Sequence, residues 1–182
     1  LAMLLGSPRS GTTWLAKLVD SHPDVIYRHE PDSTRRTTEI PFVPMSKDVA
    51  EWLDAASEYL DEIAQERGSK SVGSQPMFKK SYRGPLAEYT RRAIIYVVKG
   101  GEKLIPGSAA FSRFQVPDLL QRSDAVKPLM FIKSVSSLCR AHMFVSARPG
   151  LKVVHIVRHP CAYVASTLRG KKLGLLSDDA YV

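Results

Sequence analysis

The first fourteen residues constrain the fold more than any other part of this chain. Leu1 to Leu5 form an apolar run, which is typical of a buried strand in a parallel sheet. A loop of small residues follows over 6–11, and 11–20 has the pattern of a helix. Its apolar side chains at helical spacing are Trp14, Leu15, Leu18 and Val19. In a strand–loop–helix unit, backbone N–H groups and the helix dipole converge on one point, where an anion such as phosphate or sulfate binds.

The loop departs from the nucleotide-binding Walker A motif at one position. Gly6 and Gly11 have the G-x4-G spacing of that motif, and Thr13 supplies its hydroxyl. Thr12 stands where the motif requires lysine, whereas a cation, Arg9, lies inside the loop. The glycine spacing, the helix start and the internal arginine together favour an anion site over an ordinary strand-to-helix turn.

The composition is that of an ordinary globular protein with a basic surface. The chain has 182 residues, 44% hydrophobic and 24% charged, which suits one domain with a sizeable core. Its net charge of +8 indicates an anionic ligand or partner, but charge alone does not choose among a nucleotide, a nucleic acid and a membrane. The basic residues occur as dispersed pairs, which are typical of solvated faces. These pairs are Arg35–Arg36, Lys79–Lys80, Arg91–Arg92 and Lys171–Lys172.

Both ends of the sequence are abrupt. The chain starts inside its first predicted strand and ends without a closing element, so we expect a single domain over 1–182 that is truncated at both ends. No apolar stretch has the length of a membrane span, and no signal peptide is present. Cys139 and Cys161 make neither a disulfide framework nor a metal site, and the apolar surroundings of Cys139 predict a core position.

Strands and helices alternate along the rest of the chain. This pattern predicts an α/β fold of three layers, with a central parallel sheet between helices, like that of P-loop-containing nucleotide hydrolases. Further strands are predicted at 24–27, 128–133 and 152–157, the last of them fully buried, and helices at 46–67, 86–98, 135–147 and 161–172. Ser46 is the predicted cap of the first of these helices, whose apolar stripe is Val49, Leu53, Ala56, Leu60 and Ile63. The predicted irregular segments are a loop at 32–45, a linker at 68–75 and the stretch 100–117.

A second candidate anion site follows the strand at 152–157. Arg158 lies at the carboxyl end of this strand and Ser166 lies in the next helix, and both side chains can donate to a phosphate. Taken alone, the pair is explained better by a local salt bridge of Arg158 and helix packing of Ser166, so the first loop is what favours a binding role. His155, within the strand, is interpreted as structural, and His159 as a cap of the next helix.

Together, the two segments resemble a known enzyme family. GSPRSGTTWL and VVHIVRHPCAYVAS are similar to the 5′-phosphosulfate loop and the 3′-phosphate motif, R-[HND]-P-x5-S, of sulfotransferases that use 3′-phosphoadenosine 5′-phosphosulfate (PAPS). The intervening YRHEP resembles bacterial and carbohydrate-type members. The cytosolic steroid and phenol enzymes carry Lys-Thr-His on the middle strand and a glycine-rich loop near the C-terminus. On its middle strand this chain has Ile132-Lys133-Ser134 in place of Lys-Thr-His, so the histidine base of those enzymes is absent. The glycine-rich loop is missing as well.

The resemblance implies a reaction and a set of site residues. PAPS would donate its sulfuryl group to a hydroxyl or amine by in-line displacement, leaving 3′-phosphoadenosine 5′-phosphate (PAP), with no metal required. By analogy with phosphoryl transfer, positioning and electrostatics dominate such a reaction. Arg9, near the bridging oxygen, and Lys133 would neutralise the charge of the leaving group. The residues that the resemblance assigns to the cofactor are Arg9, Ser10, Gly11, Thr12, Thr13, Trp14, Arg158 and Ser166.

The acceptor hydroxyl needs a general base, and two residues after the second predicted strand are candidates. Glu30 is the favoured base and His29 the second candidate, because both lie next to the loop. Arg28 and Arg9 are expected to keep Glu30 ionised. The alternatives are that His29 only orients a neighbour and that Glu30 is merely an ion-pair partner of one of these arginines.

Other protein classes fit the sequence less well. A P-loop kinase or NTPase would need lysine at position 12 and an aspartate where Arg158 ends its strand. A nucleic-acid-binding module would need clustered basic residues with interleaved aromatics. A sulfotransferase-like fragment that binds the nucleotide without turnover stays open. The expected partner is a small-molecule or carbohydrate acceptor, not a nucleic acid, with the oligomeric state open. The expected location is the bacterial cytoplasm, or the Golgi lumen if a missing N-terminal segment carries an anchor.

Overall fold

A computed structural model describes residues 1–45, 47, 49–120 and 127–174. These residues form a sheet of four parallel strands in the order β2-β3-β1-β4. The strands are β1 (Ala2–Gly6), β2 (Val25–His29), β3 (Leu129–Ser134) and β4 (Lys152–Ile156). Each lies within two residues of a strand predicted from the sequence, so the predicted parallel sheet is confirmed.

Helices cover both faces of this sheet. On one face α1 packs against Ala2, Leu4 and Phe131, and on the other α2 and α6 enclose Met3 and Leu5. The helices are α1 (Thr12–Asp20), α2 (Leu53–Gln65), α3 (Ser69–Val72), α4 (Pro85–Leu104), α5 (Ala109–Ser112), α6 (Ala141–Ala147) and α7 (Pro160–Lys172). Short 3₁₀ turns cover Pro31–Ser33, Val49–Trp52 and Leu138–Arg140. The predicted three-layer α/β fold is therefore confirmed.

The parallel register brings three strand ends together. Leu5 of β1 pairs with Ser134 of β3, and His29 of β2 pairs with Lys133. Because parallel strands all end at the same edge of the sheet, the loop after β1, the turn after β2 and the end of β3 are neighbours. This edge is where the sequence places its candidate site.

The apolar stripe of α2 is buried as predicted. Ala56, Leu60 and Ile63 are fully buried in the core, beside Val49 of the preceding 3₁₀ turn. The regular helix begins later than predicted, at Leu53. Ser46, the predicted cap, lies outside the described residues.

The apolar residues of α1 that lie at helical spacing are only partly buried, with Leu15 and Val19 packed against the core. Trp14 is 72% exposed and Leu18 is 56% exposed, whereas Lys17 and Asp20 are buried. The ammonium of Lys17 donates to Asp20 at 2.9 Å and to backbone carbonyls after α3, and Lys80 pairs with the same aspartate. Charged groups can be buried when they are paired and hydrogen-bonded in this way, and the apolar pattern of one helix does not reveal such partners.

Four predictions about burial are wrong. β4 lies at an edge of the sheet that the described residues form, so Val154 and His155 are exposed rather than enclosed. Cys139 is exposed rather than in the core. Lys80 and Arg91 belong to basic pairs that were expected in solvent, but both are buried beside carboxylates.

Three segment boundaries also differ. The predicted linker contains the short helix α3, and the stretch expected to be irregular contains the end of α4 and α5. In the segment 135–147, the regular helix α6 begins only after a 3₁₀ turn. No helix in the described part of the chain has the length and apolar character needed to cross a membrane.

Candidate functional site

An open cavity of about 630 Å³ lies at the edge where the strand ends meet. Its wall includes three cations, Arg9, Lys133 and Arg158, and one carboxylate, Glu30, so the described lining is positively charged. The remaining lining residues are Pro8, Gly11, Thr12, Thr13, Val135, Ser136 and Ser166. The cavity therefore brings together both sequence motifs and the candidate base.

The loop after β1 depends on two glycines. A Cβ at Gly6 would lie 2.8 Å from the Thr12 methyl and 2.9 Å from the Ile156 carbonyl, so no side chain fits there. Gly11 has a φ of +96°, which favours glycine. Arg9 also has a left-handed backbone, with a φ of 64°, and such conformations in larger residues concentrate at functional sites.

The N-terminus of α1 faces this cavity through Thr12 and Thr13. The N-cap residue is Gly11, so no side chain occupies the first N–H groups of the helix, and the first turn contains no acidic residue. The first N–H groups of a helix have no partner within it, and the helix dipole is positive at this end. These groups can therefore bind an anion, as the sequence predicts.

The second motif is hydrogen-bonded to the first. The Arg158 guanidinium donates to the backbone carbonyl of Arg9 at 2.6 Å, and Arg9 Nε donates to the Ser166 hydroxyl at 3.3 Å. The family resemblance implies a position for Arg9 near the oxygen that bridges to sulfur. In the structure its guanidinium lies beside Ser166, with the residues assigned to the 3′-phosphate.

Glu30 and Lys133 form an ion pair in the wall of the cavity. The Lys133 ammonium donates to the Glu30 carboxylate, and the Glu30 N–H donates to the Lys133 carbonyl at 2.8 Å. The Lys133 side chain is 2% exposed and that of Glu30 is 21% exposed. Burial by itself raises the pKa of Glu30, but the hydrogen bond and the charge of Lys133 outweigh it and hold the pKa below its ordinary value.

Arg28 has a different role from the one expected. It points to the face of the sheet opposite Lys133, because Lys133 is in register with His29 and alternate residues of a strand face opposite sides. Glu30 lies beyond the end of β2 and has a left-handed backbone with a φ of 45°, so this alternation does not set its direction. The Arg28 guanidinium donates to Asp118 at 2.6 Å and to the Ala64 carbonyl at 3.1 Å. The prediction that Arg28 keeps Glu30 ionised is wrong, since Lys133 supplies that charge.

His29, the second candidate base, is not among the residues that line the cavity. Its Nδ1 is 2.8 Å from the hydroxyl of Tyr27, a residue that the sequence analysis did not single out. Burial, with the positive charge of Lys133, lowers the pKa of His29 to about 4. Burial also raises the pKa of Tyr27 well above its ordinary value, so its phenol stays protonated. Neutral His29 is thus fixed by a hydrogen bond next to Glu30.

Three other residues singled out from the sequence occupy different positions in the structure. Ser10 is buried and donates to the Ser7 carbonyl at 2.7 Å, which stabilises the loop from within. Trp14 points to solvent and is not part of the cavity wall. His159 Nδ1 accepts from the N–H of Cys161 at 3.3 Å, so its predicted capping role is confirmed.

A second cavity of about 370 Å³ adjoins the first, because Ser136 lines both. Sequence reasoning missed Ser136, which follows the end of β3. The Arg140 guanidinium lies 5.6 Å from the centre of the Phe42 ring and 5.8 Å from that of Tyr59. The remaining lining residues are Asp32, Ser33, Arg36 and Thr37. This second cavity has both charged and aromatic walls.

Within residues 1–45, 47, 49–120 and 127–174, no three His, Cys, Asp or Glu side chains are grouped so that they could hold a metal ion. The described wall of the cavity offers hydroxyls, three cations and one carboxylate.

Comparison with known proteins identifies the family. A sequence model of the sulfotransferase family matches residues 2–177, which is nearly the whole chain. The chain therefore belongs to the sulfotransferase family, whose fold is P-loop-like, as the sequence resemblance predicted. Searches of curated proteins and of solved structures found no match.

Proposed function

We propose that this chain transfers a sulfuryl group from PAPS to a hydroxyl or amine of a small-molecule or carbohydrate acceptor. The observation that supports this most directly is the single cavity that holds the loop after β1, the Arg158–Ser166 motif and the Glu30–Lys133 pair. Membership of the sulfotransferase family supports the reaction class.

The hydrogen-bond donors of the cavity fit a ligand with two separate anionic ends. The N-terminus of α1, with Thr12 and Thr13, suits the 5′-phosphosulfate. Arg158, Arg9 and Ser166 offer guanidinium and hydroxyl donors for the 3′-phosphate. ATP lacks that 3′-phosphate, so this second set of donors is what would select PAPS.

The residues of the cavity also suit the chemical step. In the transfer, a bond forms between the acceptor oxygen and sulfur, and the bond between sulfur and the phosphate oxygen breaks. The electron pair of the broken bond stays on the phosphate oxygen, where Lys133 can stabilise the negative charge. Glu30 takes the proton of the acceptor hydroxyl. Arg9 enters this proposal as a donor-binding residue because it contacts Ser166.

The second cavity is the proposed position of the acceptor. It shares Ser136 with the first, and its residues Asp32 and Ser33 follow the candidate base closely in sequence. An acceptor seated there would have its reacting group near Glu30. Arg36 and Phe42 would contact it through charge and through an aromatic surface.

A binding measurement with a transfer assay tests the proposal. PAP should raise the melting temperature of the protein, because binding to the folded state alone stabilises it, and ATP should raise it less at equal concentration. Incubation with PAPS and a panel of phenols, amines and glycosides should then yield PAP together with a sulfated product. A larger shift with ATP than with PAP would contradict the proposal and favour a P-loop kinase or NTPase.

A further inference from the structure

The Glu30–Lys133 ion pair raises a chemical question about the base. A carboxylate whose pKa is held below its ordinary value is a weak base. Lys133, the residue that lowers this pKa, also lines the cavity proposed to receive the sulfuryl donor. The Glu30 carboxylate and the bound sulfuryl donor, both anionic, would therefore compete for the single Lys133 ammonium.

The other cations of the cavity do not take part in this competition. Arg158 donates to the Arg9 carbonyl and Arg9 donates to Ser166, and in the described residues neither forms an ion pair with Glu30. Lys133 is almost fully buried, so its ammonium can reach only the groups placed around it. Lys133 is therefore the cation of the cavity whose contact with Glu30 a bound sulfuryl donor can replace.

We propose that the sulfuryl donor activates the base: on binding, it draws the Lys133 ammonium away from Glu30, so that Glu30 becomes able to take the acceptor proton only when the donor is in place. This inference rests on the proposed function. It assigns Lys133 two successive roles, as the partner of Glu30 in the free protein and as the cation beside the leaving group during transfer.

The groups that face Glu30 make Lys133 the dominant control. Lys133 approaches from β3, His29 from β2 and Lys70 from α3. His29 is neutral at physiological pH because its pKa is lowered to about 4. Lys70 donates to the Ser33 hydroxyl at 2.9 Å and acts on Glu30 only through its charge. Weakening the contact with Lys133 therefore removes the largest influence that keeps Glu30 a weak base.

The movement of Lys133 changes neither the bonds that form and break nor the path of the proton. The acceptor proton moves to the Glu30 carboxylate, the new oxygen–sulfur bond forms, and the electron pair of the broken bond stays on the 5′-phosphate oxygen. Lys133 then lies beside that oxygen rather than beside the newly neutral Glu30. Without donor, the acceptor would meet a carboxylate that is still paired.

Carbon-13 NMR of the side-chain carboxyl groups of glutamate and aspartate tests the inference without any turnover. The Glu30 resonance is assigned from its loss in Glu30→Gln, and its pH titration is recorded with and without PAPS, in the absence of acceptor. We expect PAPS to raise the pKa of Glu30 by about 1 to 3, the range that a nearby opposite charge controls. Asp61, which pairs with Arg148 outside the cavity, is the matched control and should not change.

The variant Lys133→Met separates the capture of lysine from the simple negative charge of the ligand. In this variant the pKa of Glu30 should already be raised without ligand, and PAPS should raise it much less. Lys133→Arg, which keeps the charge, should restore a low starting value. If Lys133→Met does not fold, Lys133→Gln makes the same comparison, and a wild-type pKa that does not rise with PAPS still overturns the inference.

Two outcomes would overturn the inference while leaving the proposed function in place. One is a pKa of Glu30 that is unchanged or lower when PAPS is bound. The other is an equal rise in the wild type and in Lys133→Met. A protein whose backbone N–H resonances in the 6–13 loop do not respond to PAPS at all would overturn the proposed function and, with it, this inference.

Discussion

Arg158 donates a 2.6 Å hydrogen bond to the backbone carbonyl of Arg9, although 149 residues separate the two in sequence. Arg9 holds a left-handed backbone at this point, with a φ of 64°. The second motif therefore supports the conformation of the loop that forms the first. The return contact, from Arg9 to Ser166, makes the two motifs one hydrogen-bonded unit.

This unit predicts a binding defect in Arg158→Ala. The variant should weaken PAP binding by about 1.5–3 kcal/mol, the contribution of a hydrogen bond to a charged group. Isothermal titration calorimetry measures the change. Arg148→Ala is the matched control, because Arg148 pairs with Asp61 outside the cavity and its loss should leave PAP affinity unchanged. Equal affinity in Arg158→Ala and the wild type would contradict the assignment.

The close packing around Gly6 predicts the result of adding a single methyl group. Gly6→Ala should lower the free energy of unfolding by about 1–3 kcal/mol, because its Cβ would clash with Thr12 and Ile156. It should also weaken PAP binding, since the loop must shift. Gly150→Ala is the control, because its Cβ meets nothing within 4 Å. Urea unfolding measures the stability of the two variants, and calorimetry measures their affinity for PAP. A Gly6→Ala variant as stable as the wild type would show that the loop tolerates the added methyl group.

The sequence predicts the strands of this fold better than the burial of its polar residues. Apolar runs and the turns after them place all four strands of the described sheet, because both are local signals. The order of the strands and the exposure of β4 are not local properties. A run such as 152–157 looks the same at an edge as in the centre of a sheet, so its exposure could not be predicted.

The candidate site divides in the same way. Glycine spacing and a helix start predict the loop, because the anion cradle is built from consecutive residues. The partner of Glu30 was predicted incorrectly, because Lys133 lies 103 residues away and reaches it only through the pairing of β2 with β3. Arg28 is nearer in sequence, but it faces the side of the sheet opposite Lys133, and Glu30 lies beyond the end of the strand, where alternation no longer applies.

Removing the carboxylate of Glu30 should separate catalysis from binding. Glu30→Gln should keep its affinity for PAP but lose about 10²–10⁴-fold in turnover, the usual share of a general base. His29→Gln should cost less, since His29 is not among the lining residues. Initial rates of PAP release, with PAP affinity measured in parallel, test both. Near-normal turnover in Glu30→Gln would exclude Glu30 as the base.

The low pKa of His29 predicts how stability depends on pH. Its pKa falls from 6.5 to about 4 on folding, so between these values the unfolded chain binds a proton that the folded protein does not. Stability should therefore be lost as the pH falls from 6.5 toward 4. Melting temperatures across this range should fall less steeply in His29→Gln than in the wild type. Parallel curves would show that His29 titrates normally in the folded state.

The central claim is that the cavity recognises both anionic ends of PAPS, and calorimetry with two nucleotides tests it most directly. PAP and adenosine 5′-monophosphate differ only in the 3′-phosphate, which Arg158, Arg9 and Ser166 are proposed to hold. PAP should bind at least about tenfold more tightly, which corresponds to roughly 1.4 kcal/mol, and Arg158→Ala should remove most of the difference. Equal affinity of the wild type for the two nucleotides would contradict the account.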